Sequence, residues 1–252
     1  MLHVPRPRRL ALLAATAGLA TAGTAMAVVT PTPSSVAAAH EQRVRIGTSV
    51  QGRAIVAVHR WSDGARRPTL VVGSMHGDER AGMRVVRRLR TAPLPRGADL
   101  WLVRTMNPDG TAADRRTNAN GVDLNRNFPR AWRASGTGTP TWSGPAAASE
   151  PETAAMMRFL RRVAPRTTVV VHQPLSGIDS YRARSMTLVR RLSRGTGLPV
   201  RSFDCRGGCH GTLTDWHNFR VDGRAVTVEL GRTASAGRVN RVARTLLGLA
   251  GR

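Results

Sequence analysis

Three short apolar runs in this chain each end in residues that can bind a metal ion or carry a proton. The runs are LVV from residue 70, TTVVV from 167 and AVTV from 225, and they lead into His76 with Glu79, into His172 and into Glu229. Apolar runs of this length, bounded by turn residues, predict buried strands. Ligands collect at the carboxyl ends of strands in open α/β sheets, so these side chains are expected to share one site.

Two histidines and one carboxylate form a suitable donor set for zinc. Imidazole nitrogen and carboxylate oxygen both bind this metal, and three protein ligands leave a fourth position for water. His76 and Glu79 are three positions apart and can reach one ion, with His172 as the predicted third ligand. Glu229 is predicted to act as general base on the water. Taken singly, His172 is better interpreted as a core histidine, but the coincidence of three strand ends favours the site.

A long loop offers groups that can hold a substrate. Residues 111–149 are rich in Gly, Asn, Thr and Pro, and a loop of this length inside a compact domain is usually functional. Arginine presents a fork that matches a carboxylate, and asparagine adds a further donor. Asn125 and Arg126 are therefore predicted to bind the free C-terminal carboxylate of a peptide. Arg116 is predicted to polarise the scissile carbonyl and to stabilise its oxyanion.

The order of the predicted elements indicates an α/β/α sandwich in a single domain. Strands that alternate with helices favour a central mixed, mostly parallel, twisted β-sheet with helices on both faces. A hairpin with its turn near Gly52 precedes this alternation, and Asn107 to Gly110 form a predicted turn. The predicted strands cover 43–48, 53–59, 69–73, 99–104, 167–171 and 225–228, and the predicted helices cover 80–90, 150–163, 185–194 and 238–249.

The first 27 residues have the pattern of an export signal. Three arginines precede an apolar run, and an Ala-x-Ala cleavage site ends at Ala27. An uncleaved anchor and a twin-arginine signal are the alternatives. A flexible linker is predicted over 28–42 and the catalytic domain over 43–252. The mature protein is expected to be secreted or associated with the cell wall, without a membrane segment after cleavage, and to be a monomer.

The chain is strongly basic through arginine alone. Its formal net charge is +24, and all 39 basic residues are arginines. Such a field attracts anionic polymers in general, but the arginines are scattered, so no specific nucleic-acid partner is predicted. An inactive module that binds anionic wall polymer is one alternative function. In an exported protein, Cys205 and Cys209 are expected to form a disulfide, with two free thiols as the alternative.

With this set of residues, the chain resembles the zinc carboxypeptidase family, the carboxypeptidase A-like metallopeptidases. The resemblance runs in order over roughly residues 43–240 and rests on HGDE, GVDLNRNFP, GTLTDW and VTVELG. Within the family, VHQPLSGID and the compact length look most like the bacterial murein peptide amidases. Those enzymes cut the γ-D-glutamyl–diaminopimelate bond of cell-wall peptides. A general carboxypeptidase acting on ordinary L,L-peptides is the alternative enzyme.

The resemblance carries residue roles onto this sequence. It implies one zinc ion held by His76, Glu79 and His172, general base catalysis by Glu229, carbonyl polarisation by Arg116, carboxylate binding by Asn125 and Arg126, and a specificity pocket lined by Thr214. Because Thr214 is uncharged, the preferred side chain stays open. The mobile tyrosine of the digestive members has no counterpart before GTLTDW, and Tyr181 is the only tyrosine in the chain. His210 and His217 are interpreted as ordinary loop residues.

Overall fold

The computed structural model of this protein describes residues 39–65, 67–204 and 209–251. The strands of that part of the chain are β1 (Ala39–Thr48), β2 (Ala54–Ser62), β3 (Thr69–Val72), β4 (Asp99–Val103), β5 (Thr167–His172), β6 (Leu175–Asp179), β7 (Val200–Arg201) and β8 (Arg224–Gly231). Its α-helices are α1 (Ala81–Thr91), α2 (Pro108–Ala112), α3 (Pro151–Val163), α4 (Met186–Thr196), α5 (Leu213–Arg220) and α6 (Ala236–Ala250), and a 3-10 turn covers Leu124–Arg126.

The eight strands form one mixed sheet in the order β1-β2-β4-β3-β5-β8-β6-β7. The central strands β4, β3, β5 and β8 are parallel to one another. On one side β2 pairs antiparallel with β4 and β1 pairs antiparallel with β2, and on the other side β6 pairs antiparallel with β8. Four of the seven strand pairs are parallel, counting β6 with β7, so the predicted mixed, mostly parallel sheet is confirmed.

Helices cover both faces of this sheet, which confirms the α/β/α sandwich. Val71 of β3 packs in one core with apolar residues of α1, α4 and α6. Its neighbours Leu70 and Val72 pack in a second core with apolar residues of α3 and α5. Side chains alternate between the two faces of a strand, so a strand covered on both faces must be apolar throughout. This is why the central strands appear in the sequence as uninterrupted apolar runs.

Most predicted elements are present, and the differences have local causes. β1 begins at Ala39, so residues 39–42 belong to a strand and not to the predicted linker. The predicted turn at 107–110 is instead the start of α2, where the Asn107 side chain accepts a hydrogen bond from the Gly110 amide at 2.8 Å. Sequence periodicity missed β6, β7 and α5. These elements are short and are held in place by β8 and by the helices around them.

The long loop between α2 and α3 is held together by side-chain hydrogen bonds. Asn127 donates from Nδ2 to the carbonyl oxygens of Ser143 and Ala146 and to the hydroxyl of Ser149. Its own carbonyl accepts from the Ala148 amide at 2.7 Å. Asn127 is fully buried. One asparagine thereby ties the far end of the loop to the 3-10 turn that precedes it.

Some predictions fall outside the described residues. These are the export signal, the linker up to residue 38 and the proposed partner Cys205 of Cys209. Among the helices that the structure does describe, none combines the length and the apolar character needed to cross a membrane.

Candidate active site and metal centre

The three predicted strand ends meet because β3, β5 and β8 are parallel neighbours in the sheet. His172 is the last residue of β5 and lies directly opposite Glu229 of β8. After β3 ends at Val72, the chain turns and presents His76 and Glu79 at the same edge. Parallel register thus assembles groups that are far apart in the sequence.

A glycine allows the turn after β3 to lie against α2. A Cβ atom on Gly77 would be 1.9 Å from the carbonyl carbon of Gly110, so no larger residue fits here without moving the backbone. Within this turn the Glu79 amide donates to the His76 carbonyl at 3.1 Å. The turn therefore positions both side chains of the His76–Glu79 pair.

Donor atoms of His76, Glu79 and His172 converge on one point. Nδ1 of His76 is 2.8 Å from Oε1 of Glu79, and Nδ1 of His172 is 2.9 Å from Oε2 of Glu79. The two Nδ1 atoms are 3.3 Å apart. The donor atoms of the three buried residues all lie within 4.8 Å of one another. One cation can therefore contact all three ligands at once.

The carboxylate of Asp123 determines which nitrogen of His76 faces this point. Its Oδ1 is 3.0 Å from Nε2 of His76. Because a carboxylate only accepts, Nε2 donates a proton to Asp123, so Nδ1 is the nitrogen that would bind a metal once its own proton is released. Nδ1 of His172 faces the same point, and the two ring nitrogens, 3.3 Å apart, could both turn a lone pair to this point only with a cation between them. The donor set and its tautomer fit zinc.

All eight predicted site residues line a single open cavity of about 250 Å³. They are His76, Glu79, Arg116, Asn125, Arg126, His172, Thr214 and Glu229. Five separate segments of the chain contribute them: the turn after β3, the long loop, β5, α5 and β8.

Comparison with known proteins identifies the family. The model of the zinc carboxypeptidase family matches residues 34–181, which is more than half of the chain. The chain belongs to the zinc carboxypeptidase family. The resemblance expected from HGDE and GVDLNRNFP is thus confirmed.

Murein peptide amidases are among the relatives of this zinc carboxypeptidase. The sequence is 33% identical to murein peptide amidase A of Escherichia coli K12 over 130 residues, which are 47% of this chain and 54% of the relative. It is 30% identical to murein peptide amidase A of Vibrio campbellii over 178 residues, covering 64% of this chain and 68% of the relative. The chain thus aligns with about half the length of the first relative.

A solved structure shows the same fold. The murein-tripeptide amidase of Escherichia coli O157 superposes with a TM-score of 0.70 at 24% identity, covering 83% of this chain and 92% of the other. At this level of identity, the likeness concerns the fold alone. It confirms the α/β architecture of the zinc carboxypeptidase domain.

The charges of the metal centre stabilise one another. Burial by itself lowers the pKa of His76, but Asp123 and Glu79 outweigh burial and raise it to about 9. Burial likewise raises the pKa of a carboxyl group, yet the two histidines hold the pKa of Glu79 well below its usual range. His76 and Arg116 do the same for Asp123. Both carboxylates therefore remain ionised and able to face a cation.

Glu229 differs from the other two carboxylates of the site. Burial raises the pKa of Glu229, and the charge of His172 offsets this increase only in part. Its Oε2 accepts a hydrogen bond from the Leu175 amide at 3.2 Å. A carboxylate whose proton affinity is raised in a cleft is suited to accept a proton and to return it.

Arg116 is held by the same carboxylate that orients His76. It donates from Nε and Nη2 to Oδ2 of Asp123 at 3.1 and 2.8 Å. Its Nη1 is 3.6 Å from Oε1 of Glu79. Burial opposes the charge of Arg116, but Asp123 outweighs burial and raises the pKa of the guanidinium. Arg116 therefore presents a permanent positive charge beside the metal ligands.

The asparagine of the predicted carboxylate-binding pair has a fixed orientation. Oδ1 of Asn125 accepts from the Leu213 amide at 3.1 Å, so its NH₂ group is the end that can donate. The neighbouring Arg126 is buried and donates from Nη1 to the Asn125 carbonyl at 2.9 Å. Thr214 also lines the cavity, with its hydroxyl 3.5 Å from that of Thr212.

Sequence reasoning missed several polar groups of the cavity. Asp123 has a signal in the sequence, since it stands inside GVDLNRNFP two residues before Asn125. Asp179, Arg182 and Asp215 also line the cavity, together with Tyr181. No spacing pattern connects them, because they come from the end of β6, the turn after it and the start of α5. Asp78, by contrast, is exposed and outside the converging donor set.

The two remaining histidines near this segment have different surroundings. His210 lies in a loop, as predicted, and its Nε2 is 3.1 Å from the hydroxyl of Ser135. The prediction that His217 is an ordinary loop residue is wrong. His217 is part of α5 and is fully buried, with Nε2 3.1 Å from the hydroxyl of Thr168. It is a residue of the core and does not line the cavity.

Proposed function

We propose that this protein is a zinc-dependent hydrolase that cuts a peptide or γ-D-glutamyl–diaminopimelate bond next to a free carboxylate in cell-wall-derived peptides. The observation that carries the proposal is the single cavity shared by the converging donors, a carboxylate with raised pKa and a fixed asparagine–arginine pair. These are the three components that such a hydrolysis needs: a metal, a base and an anchor for the substrate.

Asn125 and Arg126 give the site its direction. A guanidinium binds a carboxylate with two parallel hydrogen bonds, and burial makes such charge-assisted bonds stronger. Burial also lowers the pKa of Arg126, so an incoming carboxylate stabilises its charge. The C-terminal end of the substrate is bound here, and the bond to be cut then lies towards the metal ligands.

His76, Glu79 and His172 hold the zinc ion in this proposal. When bound, zinc polarises the scissile carbonyl and increases the acidity of water. Glu229 takes a proton from the attacking water and returns it to the leaving amine, the role for which its raised pKa is suited. Arg116 places a fixed positive charge where the oxyanion develops, and Asp123 keeps that guanidinium in position.

The murein peptides are the favoured substrates because two relatives of the chain carry the name murein peptide amidase A. A general carboxypeptidase acting on L,L-peptides has the same metal centre and differs only in the groups that contact the substrate. The inactive, polymer-binding alternative is disfavoured because every expected catalytic position is occupied by a suitable residue.

Mass spectrometry of the products from defined peptides tests this proposal. We expect the enzyme to release diaminopimelate from L-Ala-γ-D-Glu-diaminopimelate, and about one zinc per chain to be measured on the same sample. Exhaustive chelation should abolish hydrolysis, and added zinc should restore it. Full activity in zinc-free protein would contradict the proposal. Cleavage of L,L-peptides alone would favour the general carboxypeptidase.

We also propose that the protein acts outside the cell. The n-region, apolar run and Ala-x-Ala site of the first 27 residues support export. N-terminal sequencing of protein from the culture medium should give Val28 as the first residue. Mass measurement with and without reduction should detect the expected disulfide between Cys205 and Cys209. An intracellular protein that retains Met1 would contradict export.

A further inference from the structure

The wall formed by β6, the turn after it and α5 carries charges that the proposed catalysis does not use. Asp179, Arg182 and Asp215 line the cavity here, next to the rings of Tyr181 and Phe203. Catalysis and carboxylate anchoring depend on groups of the turn after β3, of β5, of β8 and of the long loop. A cavity wall with both signs of charge can instead contribute to the choice of substrate.

Asp179 is a rigid, partly buried carboxylate. Its Oδ1 accepts hydrogen bonds from the amides of Tyr181 and Phe203 at 2.9 and 3.1 Å. Both amides bind the same oxygen, and no side chain of the described residues forms an ion pair with Asp179. Burial raises its pKa, and the two amide hydrogen bonds, together with the charge of His172, offset this only in part. A cationic group of a ligand would compensate for the lost hydration of this carboxylate.

Arg182 lies close to Asp179 in the chain and is fixed from two sides. Its Nη1 donates to Oδ2 of Asp215 at 2.8 Å, and its guanidinium carbon is 5.1 Å from the centre of the Tyr181 ring. Its backbone φ is +50°, a conformation that non-glycine residues rarely adopt. Asp215 binds one nitrogen of a group with five N–H donors, so other donors remain to bind an anion.

We infer that this wall binds a zwitterionic amino acid head at the far end of the substrate side chain, with Asp179 receiving its ammonium group and Arg182 its carboxylate. The inference rests on the proposed function, in which Asn125 and Arg126 hold a first carboxylate of the same residue. The released residue then has two carboxylates and one ammonium group besides the amine of the cut bond. A diamino dicarboxylic acid has this set of groups, whereas lysine lacks the second carboxylate and 2-aminopimelate lacks the distal ammonium group.

A comparison of three substrates with two variants tests the assignment. The substrates carry diaminopimelate, lysine or 2-aminopimelate after the cut bond and are otherwise identical. The wild-type enzyme should prefer diaminopimelate over each of the others by about 10- to 100-fold in kcat/KM, since a lost charged hydrogen bond costs that much. Asp179→Asn should remove the preference over 2-aminopimelate, and Arg182→Gln the preference over lysine.

Matched controls separate this role from a general effect on the fold. Asn at position 179 still accepts from the two amides, so the turn is retained. Arg67 and Asp222 form another exposed arginine–aspartate pair with the same 2.8 Å separation, next to the start of β3. The control variants Arg67→Gln and Asp222→Asn each break this pair, and neither should change a ratio of kcat/KM between substrates. The conservative variants Asp179→Glu and Arg182→Lys should restore part of each preference.

Two results would overturn the assignment. One is a wild-type enzyme that cuts the three substrates equally well. This result does not depend on whether any variant folds. The other is a preference that neither variant changes.

The same side-chain series on an L,L-donor distinguishes this inference from the proposed function. If only the L,L-series is cut, with the diaminopimelate preference intact, the γ-D-glutamyl substrate is wrong and the wall assignment stands. If the γ-D-glutamyl series is cut without any side-chain preference, the proposed function stands and the wall assignment fails.

Discussion

Two buried histidines of this protein have opposite protonation behaviour. His76 at the strand ends and His217 in α5 are 2% and 0% exposed. Carboxylates contact both sides of His76 and raise its pKa to about 9. His217 contacts the hydroxyl of Thr168 on one side, while burial, aided by Arg184, lowers its pKa to about 4. Burial is nearly equal in the two places, so the neighbours decide the sign of the shift.

The comparison distinguishes a functional cluster from a core residue. The strand-end cluster consists of His76, Glu79, His172 and Glu229. Its ionised groups are stabilised by partners of opposite charge, and three of its residues have donor atoms that converge on one point. The α5 core, meaning buried His217 of α5 and its surroundings, favours the neutral form of this histidine, whose ring has one hydrogen-bond partner among the described residues, the Thr168 hydroxyl. A perturbed pKa alone therefore identifies neither region as a site. Converging donor atoms and a cavity do.

The largest expected effect is the fall in kcat when the strand-end cluster loses its proton acceptor. Glu229→Gln should lower kcat by about 10²- to 10⁴-fold, the usual contribution of a general base. Zinc content should stay the same, because Glu229 is not one of the three converging donors. The matched change in the other region, His217→Gln, should leave kcat close to that of the wild type. Equal losses in the two variants would remove the distinction between the regions.

The second effect concerns acid stability and belongs to the α5 core. The folded-state pKa of His217 is about 4, below the value of 6.5 expected when unfolded. Above pH 6.5 both states are neutral and the histidine has no effect. As pH falls from 6.5 to 4, only the unfolded state binds a proton, so stability is lost, by about 3 kcal/mol in total.

Urea unfolding of the wild type and His217→Gln at several pH values measures this effect. The difference between the two proteins at each pH removes the contribution of the metal site, which both share. The variant should lose less stability than the wild type between pH 6.5 and 4. A difference that does not depend on pH would show that the pKa of His217 is the same in the folded and unfolded states, which contradicts the lowered folded-state pKa.

A smaller effect is expected when the tautomer of His76 is no longer fixed. Asp123→Asn keeps the shape of the side chain but replaces one carboxylate oxygen by an NH₂ group. Zinc affinity should fall by about 10- to 100-fold, as is usual for such supporting carboxylates. Competition with a chelator of known affinity measures it. In contrast, Thr168→Val removes the partner of His217 and should leave zinc affinity unchanged.

The smallest effect is expected for an exposed ion pair outside both regions. Arg67 and Asp222 are 2.8 Å apart, with side chains 59% and 80% exposed. Such pairs contribute between about 0 and 1 kcal/mol, and salt weakens them further. Arg67→Gln should therefore change the free energy of unfolding very little in denaturant titrations at physiological salt. A loss as large as that of a buried pair would contradict this view of the arginine-rich surface.

Much of the site was predictable because its chemistry depends on residue types at strand ends. The apolar runs of β3, β5 and β8 require burial on both faces, and each delivers a polar group where its strand ends. The loop pair Asn125 and Arg126 follows from local donor chemistry in the same way. The short helix α5 was not predictable, because its stability comes mainly from packing of Leu213 and Trp216 in the second core.

The sequence by itself determined the donor types, the central strands and the family of this protein. Only the tertiary structure decided which groups become neighbours. It placed Asp123 against His76 across 47 positions, set opposite pKa shifts on two buried histidines, and brought Asp179 together with the Arg182–Asp215 pair in one cavity wall. The physical reason is that strand formation depends on local apolar patterns, whereas hydrogen bonds, ion pairs and pKa shifts depend on distances that arise only when the sheet and its loops have assembled.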